Sequence, residues 1–379
     1  MRIQKLLLVI ICLLLAVSAA CFGYYFATLP SPQPAQSTPA FTTSGLPPVT
    51  TTLPATPPPT LPPVTTAPPA TTLPPATTLP PATTLPTEPV ETTVPTQPPT
   101  EPTTAPTQPE PLPPAPVDVT ISAKSAFVYD LSAENFLYFY GDPDAPVEPA
   151  SITKLFSAYV GLQYLSPETE LTVGEEVNWI DPGSSRAYIY KGHRLTVKQC
   201  VQGMIIPSGN DAAYVLAVNA GRVIAGNPNM SAKEAYRAFV DEMNRQAQAL
   251  GMTGTHFVNP DGMNEKNHYT SLRDLLTIAK LAMDTPLIRQ SAQIQQMKAV
   301  FASGHYAQWT NSNQMLDKKY PEFYCSEAIG LKTGSTNTAG KCLLAAFQRD
   351  GRILLVCVMG CPTNATRYAD ALALYNACI

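Results

Sequence analysis

Apolar positions in this chain change rhythm several times. Through residues 6–29 they run together: 24 residues pass without a charge, preceded by Arg2 and Lys5. Through residues 30–116 large apolar residues become sparse. Runs rich in aromatic and branched residues then predict strands over residues 125–131 and 135–140. Helical spacing takes over at Ser151. A helix over residues 151–165 carries Phe156, Tyr159, Val160 and Leu162 around most of its surface, which predicts burial at the domain centre. A loop-rich stretch follows, with a turn cluster at residues 181–185. Thr196 is expected to cap a helix that reaches Ile206. Further helices are predicted over residues 212–220, over 231–250 with Ser231 as cap and Gly251 as stop, and over 271–283, closed by Pro286. The last part returns to strands, at residues 328–332, 342–348 and 352–360, with Asp350-Gly351 turning between the last two. A final helix from about Thr363 places Tyr368, Ala371, Leu372 and Tyr375 on one face. Strands, helices, strands and a helix predict an α/β (α+β) domain. Strands from both ends would share one antiparallel sheet, flanked by helices, with a helical lobe inserted between them.

Composition divides the 379 residues into three parts. Of 41 prolines, 30 fall within residues 30–116, and no lysine or arginine occurs between Lys5 and Lys124. The sequence Pro-Pro-Ala-Thr-Thr-Leu starts at Pro68, Pro74 and Pro80. Such a stretch cannot bury a core, and its prolines favour an extended chain whose reach approaches roughly 250 Å. We therefore expect a membrane anchor or signal segment at 1–29, a disordered stalk at 30–116, and a functional domain at 117–379. Positive residues before the apolar run, and none for a long way after it, predict that the domain lies outside the cytoplasmic membrane. Cleavage after Ser18-Ala19-Ala20, or lipid attachment at Cys21, would leave it secreted or lipid-anchored on the same side. A net charge of -4 without a basic run argues against a nucleic-acid partner. Six cysteines fall in the domain, an even number that fits disulfides and buried thiols equally. No spacing suggests a metal site, and no cofactor is expected.

Three polar groups interrupt the domain's apolar pattern. Ser151 and Lys154 stand three apart at the start of the central helix and so are neighbours on its surface. An amine beside a hydroxyl is the minimum for an activated nucleophile. Ser208-Gly209-Asn210 lies between helices, where a loop presents side chains to a cleft. Lys332-Thr333-Gly334-Ser335 ends an apolar strand, an unusual place for lysine. Each alone fits a bland turn or strand end. In this order they form the three-motif signature of penicillin-recognising serine enzymes. Pro149-Ala150 before the first motif, Asp211-Ala212-Ala213 after the second and Gly330-Leu331 before the third extend the likeness. So does Thr255-His256-Phe257-Val258-Asn259-Pro260-Asp261-Gly262, followed by His268-Tyr269. Residues 120–379 resemble the D-alanyl-D-alanine carboxypeptidases, the low-molecular-mass penicillin-binding proteins of peptidase family S11.

That resemblance implies a serine β-lactamase/transpeptidase-like fold. It also implies an enzyme at the bacterial cell surface that trims peptidoglycan stem peptides and is inhibited by β-lactams. Ser151 would attack the carbonyl of the penultimate D-alanine. Lys154 would be its base, once its pKa falls from about 10.4 through burial and the neighbouring Lys332 cation. Ser208 would relay a proton to the leaving amine, and Asn210 would hold the substrate amide. Lys332 and Thr333 would bind the terminal carboxylate, and Gly334 would let the substrate backbone approach. The N–H groups of Ser151 and Ser335 would form the oxyanion hole. A β-lactamase would add a Glu-x-x-x-Asn loop after the second motif, and none stands between Asn210 and Lys332. A non-catalytic wall module would have no need of the intact polar set. His193, His256, His268 and His305 have no paired spacing and are expected to be structural, and Trp309 and Asp274 have no catalytic role. Many family members carry an extra C-terminal domain and a C-terminal amphipathic membrane helix. Here the N-terminal segment and stalk are expected to take over anchoring.

Overall fold

Strand β1 (Ser125–Asp130) turns into β2 (Asn135–Tyr140), and the two pair antiparallel as the sequence pattern predicts. The computed structural model describes residues 117–379; the expected anchor and stalk lie outside the described residues. After β2 a single 3-10 turn, Ala150–Ile152, feeds α1 (Thr153–Tyr164). This helix is buried almost all round, as a helix apolar on every side must be.

The lobe between the two halves of the sheet begins with a short pair, β3 (Glu170–Thr172) and β4 (Arg194–Thr196). Thr196 then caps α2 (Val197–Ile205): its hydroxyl accepts the Gln199 N–H while the Gln199 side chain accepts the Thr196 N–H. Next come α3 (Asn210–Ile224), α4 (Ala232–Ala249), capped by Ser231, and α5 (Leu272–Asp284). Pro286 does not simply close α5. It opens a further helix, α6 (Pro286–Gln293), at the position where proline's missing N–H costs nothing. The hairpin of β5 (Gln296–Val300) and β6 (Tyr306–Thr310) is also absent from the sequence reading.

Three long strands complete the domain: β7 (Ala328–Thr336), β8 (Gly340–Arg349) and β9 (Arg352–Cys361). Asp350 and Gly351 turn between β8 and β9 with φ of 50° and 83°, the left-handed pair that matches strand twist. Sheet order is β2-β1-β9-β8-β7, antiparallel throughout, so strands from both ends of the domain share one sheet. Alternation splits the strand side chains between two cores. Phe127, Tyr129, Leu331, Leu344 and Cys357 face α1 and the lobe. Val128, Leu343, Phe347 and Val356 face α7 (Asn364–Cys378), which contributes Tyr368, Ala371, Leu374 and Tyr375. The six domain cysteines are free thiols, four of them buried. No helix among the described residues is long and apolar enough to cross a membrane.

Candidate active site

Ser151 sits in the 3-10 turn, half-buried, two residues before the start of a helix that is otherwise sealed. Lys154 Nζ lies 2.7 Å from Ser151 Oγ and donates to the Asp261 carbonyl at 2.6 Å. The Asn259–Met263 loop is built to hold that carbonyl in place. Asn259 accepts the Gly262 N–H at 2.8 Å and donates to the Met263 carbonyl, while Ser157 donates to the Pro260 carbonyl at 2.7 Å. Gly262 has φ +82°, and a Cβ there would fall 1.8 Å from the Ala150 oxygen. Only glycine lets this loop press against the Ser151 turn.

Lys154 is fully buried, and burial pushes its ammonium down to about 8, while Asp261 and Asp211 pull the other way. The expected part of Lys332 in this tuning is therefore corrected: desolvation is the principal cause. The two lysines do repel each other, and the effect is plain at Lys332. Burial is the largest influence there, and the Lys154 and Arg367 cations also act to hold it well below the usual lysine range.

Lys332, Thr333 and Gly334 do not end β7. The strand continues to Thr336, with Lys332 opposite Leu344 and Gly334 opposite Cys342. Lys332 Nζ donates to the Thr333 carbonyl at 3.1 Å, and the Thr333 and Ser312 hydroxyls lie 2.6 Å apart. Gly334 has a packing reason for its identity: a Cβ would come within 3.0 Å of Ala150 Cβ and 3.1 Å of the Pro149 oxygen. The third motif thus packs directly on the turn that bears Ser151.

Ser208 adopts φ +65°, a left-handed conformation that costs a serine roughly 1–3 kcal/mol. It is buried, and among the described residues no hydrogen bond joins its side chain to Ser151 or Lys154. Asn210 is the first residue of α3, not part of the preceding loop. Its Oδ1 is buried without a partner. Such an orphan acceptor costs about 1–3 kcal/mol and marks where a ligand N–H could bind. Ser151, Asn210 and Ser335 share one cleft of about 550 Å³.

The sequence profile of the D-alanyl-D-alanine carboxypeptidases (Peptidase S11) matches residues 108–363. The chain belongs to this family. Its relatives include the D-alanyl-D-alanine carboxypeptidase of Streptomyces sp. (strain K15), 29% identical over 68% of this chain and 87% of that protein. D-alanyl-D-alanine carboxypeptidase DacA of Escherichia coli (strain K12) is 30% identical over 67% of this chain and 60% of its own length. The crystal structure of the Streptomyces K15 DD-transpeptidase superposes with a TM-score of 0.61, at 29% identity, covering 68% of this chain and 97% of that one. Penicillin-binding protein D2 of Listeria monocytogenes in its ampicillin-bound form, 24% identical with a TM-score of 0.56, shares the fold.

Several residues around the carboxypeptidase site carry no motif. The Asp261 carbonyl is the clearest, since a backbone acceptor has no sequence signature. Asp211 accepts the Ala187 and Ile189 N–H groups at 2.7 and 3.0 Å, tying the 181–189 stretch to the second motif. Arg367 reaches from α7 to the Gly334 and Cys342 carbonyls at 3.1 and 3.3 Å. Trp309 is wholly buried and donates to the Ala187 carbonyl.

His268 has both ring nitrogens engaged: Nε2 lies 3.0 Å from Thr153 Oγ1, and Nδ1 accepts the Val258 N–H at 3.2 Å. Burial first, then the His256 and Lys154 charges, hold it down to about 4. Between pH 6.5 and 4 the unfolded chain therefore binds a proton that the folded chain refuses. Stability is full above pH 6.5 and falls by about 3 kcal/mol as pH drops towards 4. Urea midpoints at pH 7.5 and 4.5 should show this loss, and His268→Gln should remove most of the difference between them.

Proposed function

We propose that this chain removes the terminal D-alanine from peptidoglycan stem peptides, outside the cytoplasmic membrane, through an acyl-enzyme on Ser151. One observation carries the assignment of roles: a serine hydroxyl 2.7 Å from a fully buried lysine whose pKa is pushed to about 8, opening on a cleft. A lysine so depressed is neutral in a useful fraction of molecules near neutral pH. Its lone pair takes the Ser151 proton along that contact as Oγ attacks the substrate carbonyl. The N–H groups of Ser151 and Ser335 receive the developing oxyanion. Such preorganised donors typically contribute 10²–10³ in rate. Ser208 passes the proton to the departing D-alanine amine. Asn210 grips the substrate amide, and Lys332 with Thr333 grips the terminal carboxylate. Water then attacks the acyl-enzyme, with the same lysine as base. β-Lactams enter by the first half of this route and stall.

A second reading has a specific observation behind it. The superposed Streptomyces K15 structure is described as a DD-transpeptidase, so an amine acceptor in place of water fits the same residues. The deciding experiment incubates the protein with a pentapeptide muropeptide, with and without added glycine, and measures free D-alanine and glycyl product. D-Alanine release with tetrapeptide as the main product is expected. Glycyl product in excess would favour the transpeptidase. No release at all, with fluorescent penicillin still labelling the protein, would point to a binding module instead.

A further inference from the structure

Thr333 is assigned to an anion, yet its buried hydroxyl already has a neighbour. It lies 2.6 Å from the half-buried Ser312 hydroxyl, the only side-chain partner of either group among the described residues. At that distance one proton lies between the two oxygens, so one hydroxyl donates and the other accepts. Each hydroxyl has a single proton, and a carboxylate only accepts. If Thr333 spent its proton on Ser312, a lone pair would face the incoming anion. If Ser312 donates instead, the Thr333 proton is left to turn towards the carboxylate.

Ser312 lies two residues beyond the end of β6, between the second and third motifs. Its N–H donates to the Ile206 carbonyl at 3.0 Å, two residues before Ser208. Its own carbonyl accepts the Tyr368 hydroxyl at 3.0 Å. Asn311, just before it, donates to the Ala292 and Ile294 carbonyls at 3.1 and 3.0 Å. Asn313, just after it, caps the next turn by accepting the Met315 N–H. The backbone of Ser312 is thus fixed by contacts that its own side chain does not make. Its hydroxyl is left to Thr333.

We propose that Ser312 is a positioning residue: it donates to Thr333, holds that hydroxyl in place, and directs the Thr333 proton to the substrate's terminal carboxylate. The proposal rests on the reading that Thr333 grips this carboxylate. Hydroxyls linked in such a chain polarise one another, and the last bond, to a charged acceptor, is the one that gains most.

The test measures kcat/KM for two peptides ending in D-Ala-D-Ala, one with a free terminal carboxylate and one amidated, with active sites counted by penicillin titration. Ser312→Ala should lower the value for the free acid roughly three- to tenfold and leave the amide within about twofold. Ser312→Thr, which restores a hydroxyl, should recover most of the loss. Ser312→Ala combined with Thr333→Val should be no worse than Thr333→Val alone, because Ser312 acts only through Thr333. An undiminished free-acid value in Ser312→Ala would overturn the proposal. So would an equal loss for both peptides, which marks a purely structural residue, or losses that multiply in the double variant. A Thr333→Val variant that keeps the wild-type preference for the free acid would remove Thr333 from carboxylate binding, and the proposal with it. If the wild type hydrolysed neither peptide, the carboxypeptidase reading would fail separately. Competition of the two peptides against penicillin acylation would then give the same ratio, and a ratio unchanged in Ser312→Ala would overturn the proposal.

Discussion

Ser151→Ala and Lys154→Met are each expected to lower D-alanine release by at least about 10³-fold and to abolish covalent penicillin labelling. The argument is geometric. Ser151 Oγ has one basic partner, Lys154 Nζ at 2.7 Å, and that amine is held on its other side by the Asp261 carbonyl. A serine hydroxyl without a base is a poor nucleophile, and a base without the serine has nothing to activate. The double variant should therefore be no slower than either single one, because the two residues act as a unit. Methionine fills the lysine's buried volume without its charge, so the fold should survive, which circular dichroism would verify. Losses that multiply in the double variant would show two independent contributions and remove Lys154 as the base of Ser151. Undiminished labelling of Ser151→Ala would remove the acyl-enzyme altogether.

The three motifs were legible in the sequence because each is a short run with a fixed spacing. The outline of the fold was legible for a similar reason. Thr196 and Ser231 cap their helices, and Asp350-Gly351 turns its hairpin, through contacts within a few residues. Interactions across large sequence separations stayed hidden. Lys154 meets Asp261 over a separation of 107 residues, and Arg367 meets Gly334 over 33. The β5–β6 hairpin escaped because its buried positions, Ala299, Ala307 and Trp309, are few and its other residues, the half-buried Met297 apart, are polar or exposed. Lys332 misled the strand boundary. A charged side chain reads as the end of a strand, yet here the strand continues through a fully buried lysine. The strained φ of Ser208 is likewise set by the loop around it, since serine has no preference for that conformation.

Lys332→Gln should lower kcat/KM for a D-Ala-D-Ala peptide by about 10²–10³, the loss typical of removing one partner of a buried charge pair. A wild-type assay with the substrate's terminal carboxylate converted to an amide should lose about as much, and combining the two changes should add little. The pH profile makes the test sharper. Burial pushes Lys154 down to about 8, and burial first and the Lys154 charge second push Lys332 down as well. Two such buried cations titrate as a coupled pair, and the productive form carries one proton between them. A carboxylate arriving at Lys332 favours the charge there and so leaves Lys154 neutral as the base. In the proposed mechanism substrate binding would thus select the protonation state that the chemistry needs. The wild-type profile of kcat/KM should be a bell: it rises as the pair loses its first proton and falls as it loses the second. Lys332→Gln should keep the rising limb, which belongs to Lys154, and lose the falling one. A bell unchanged in the variant would assign the falling limb to another group and separate carboxylate binding from the control of Lys154.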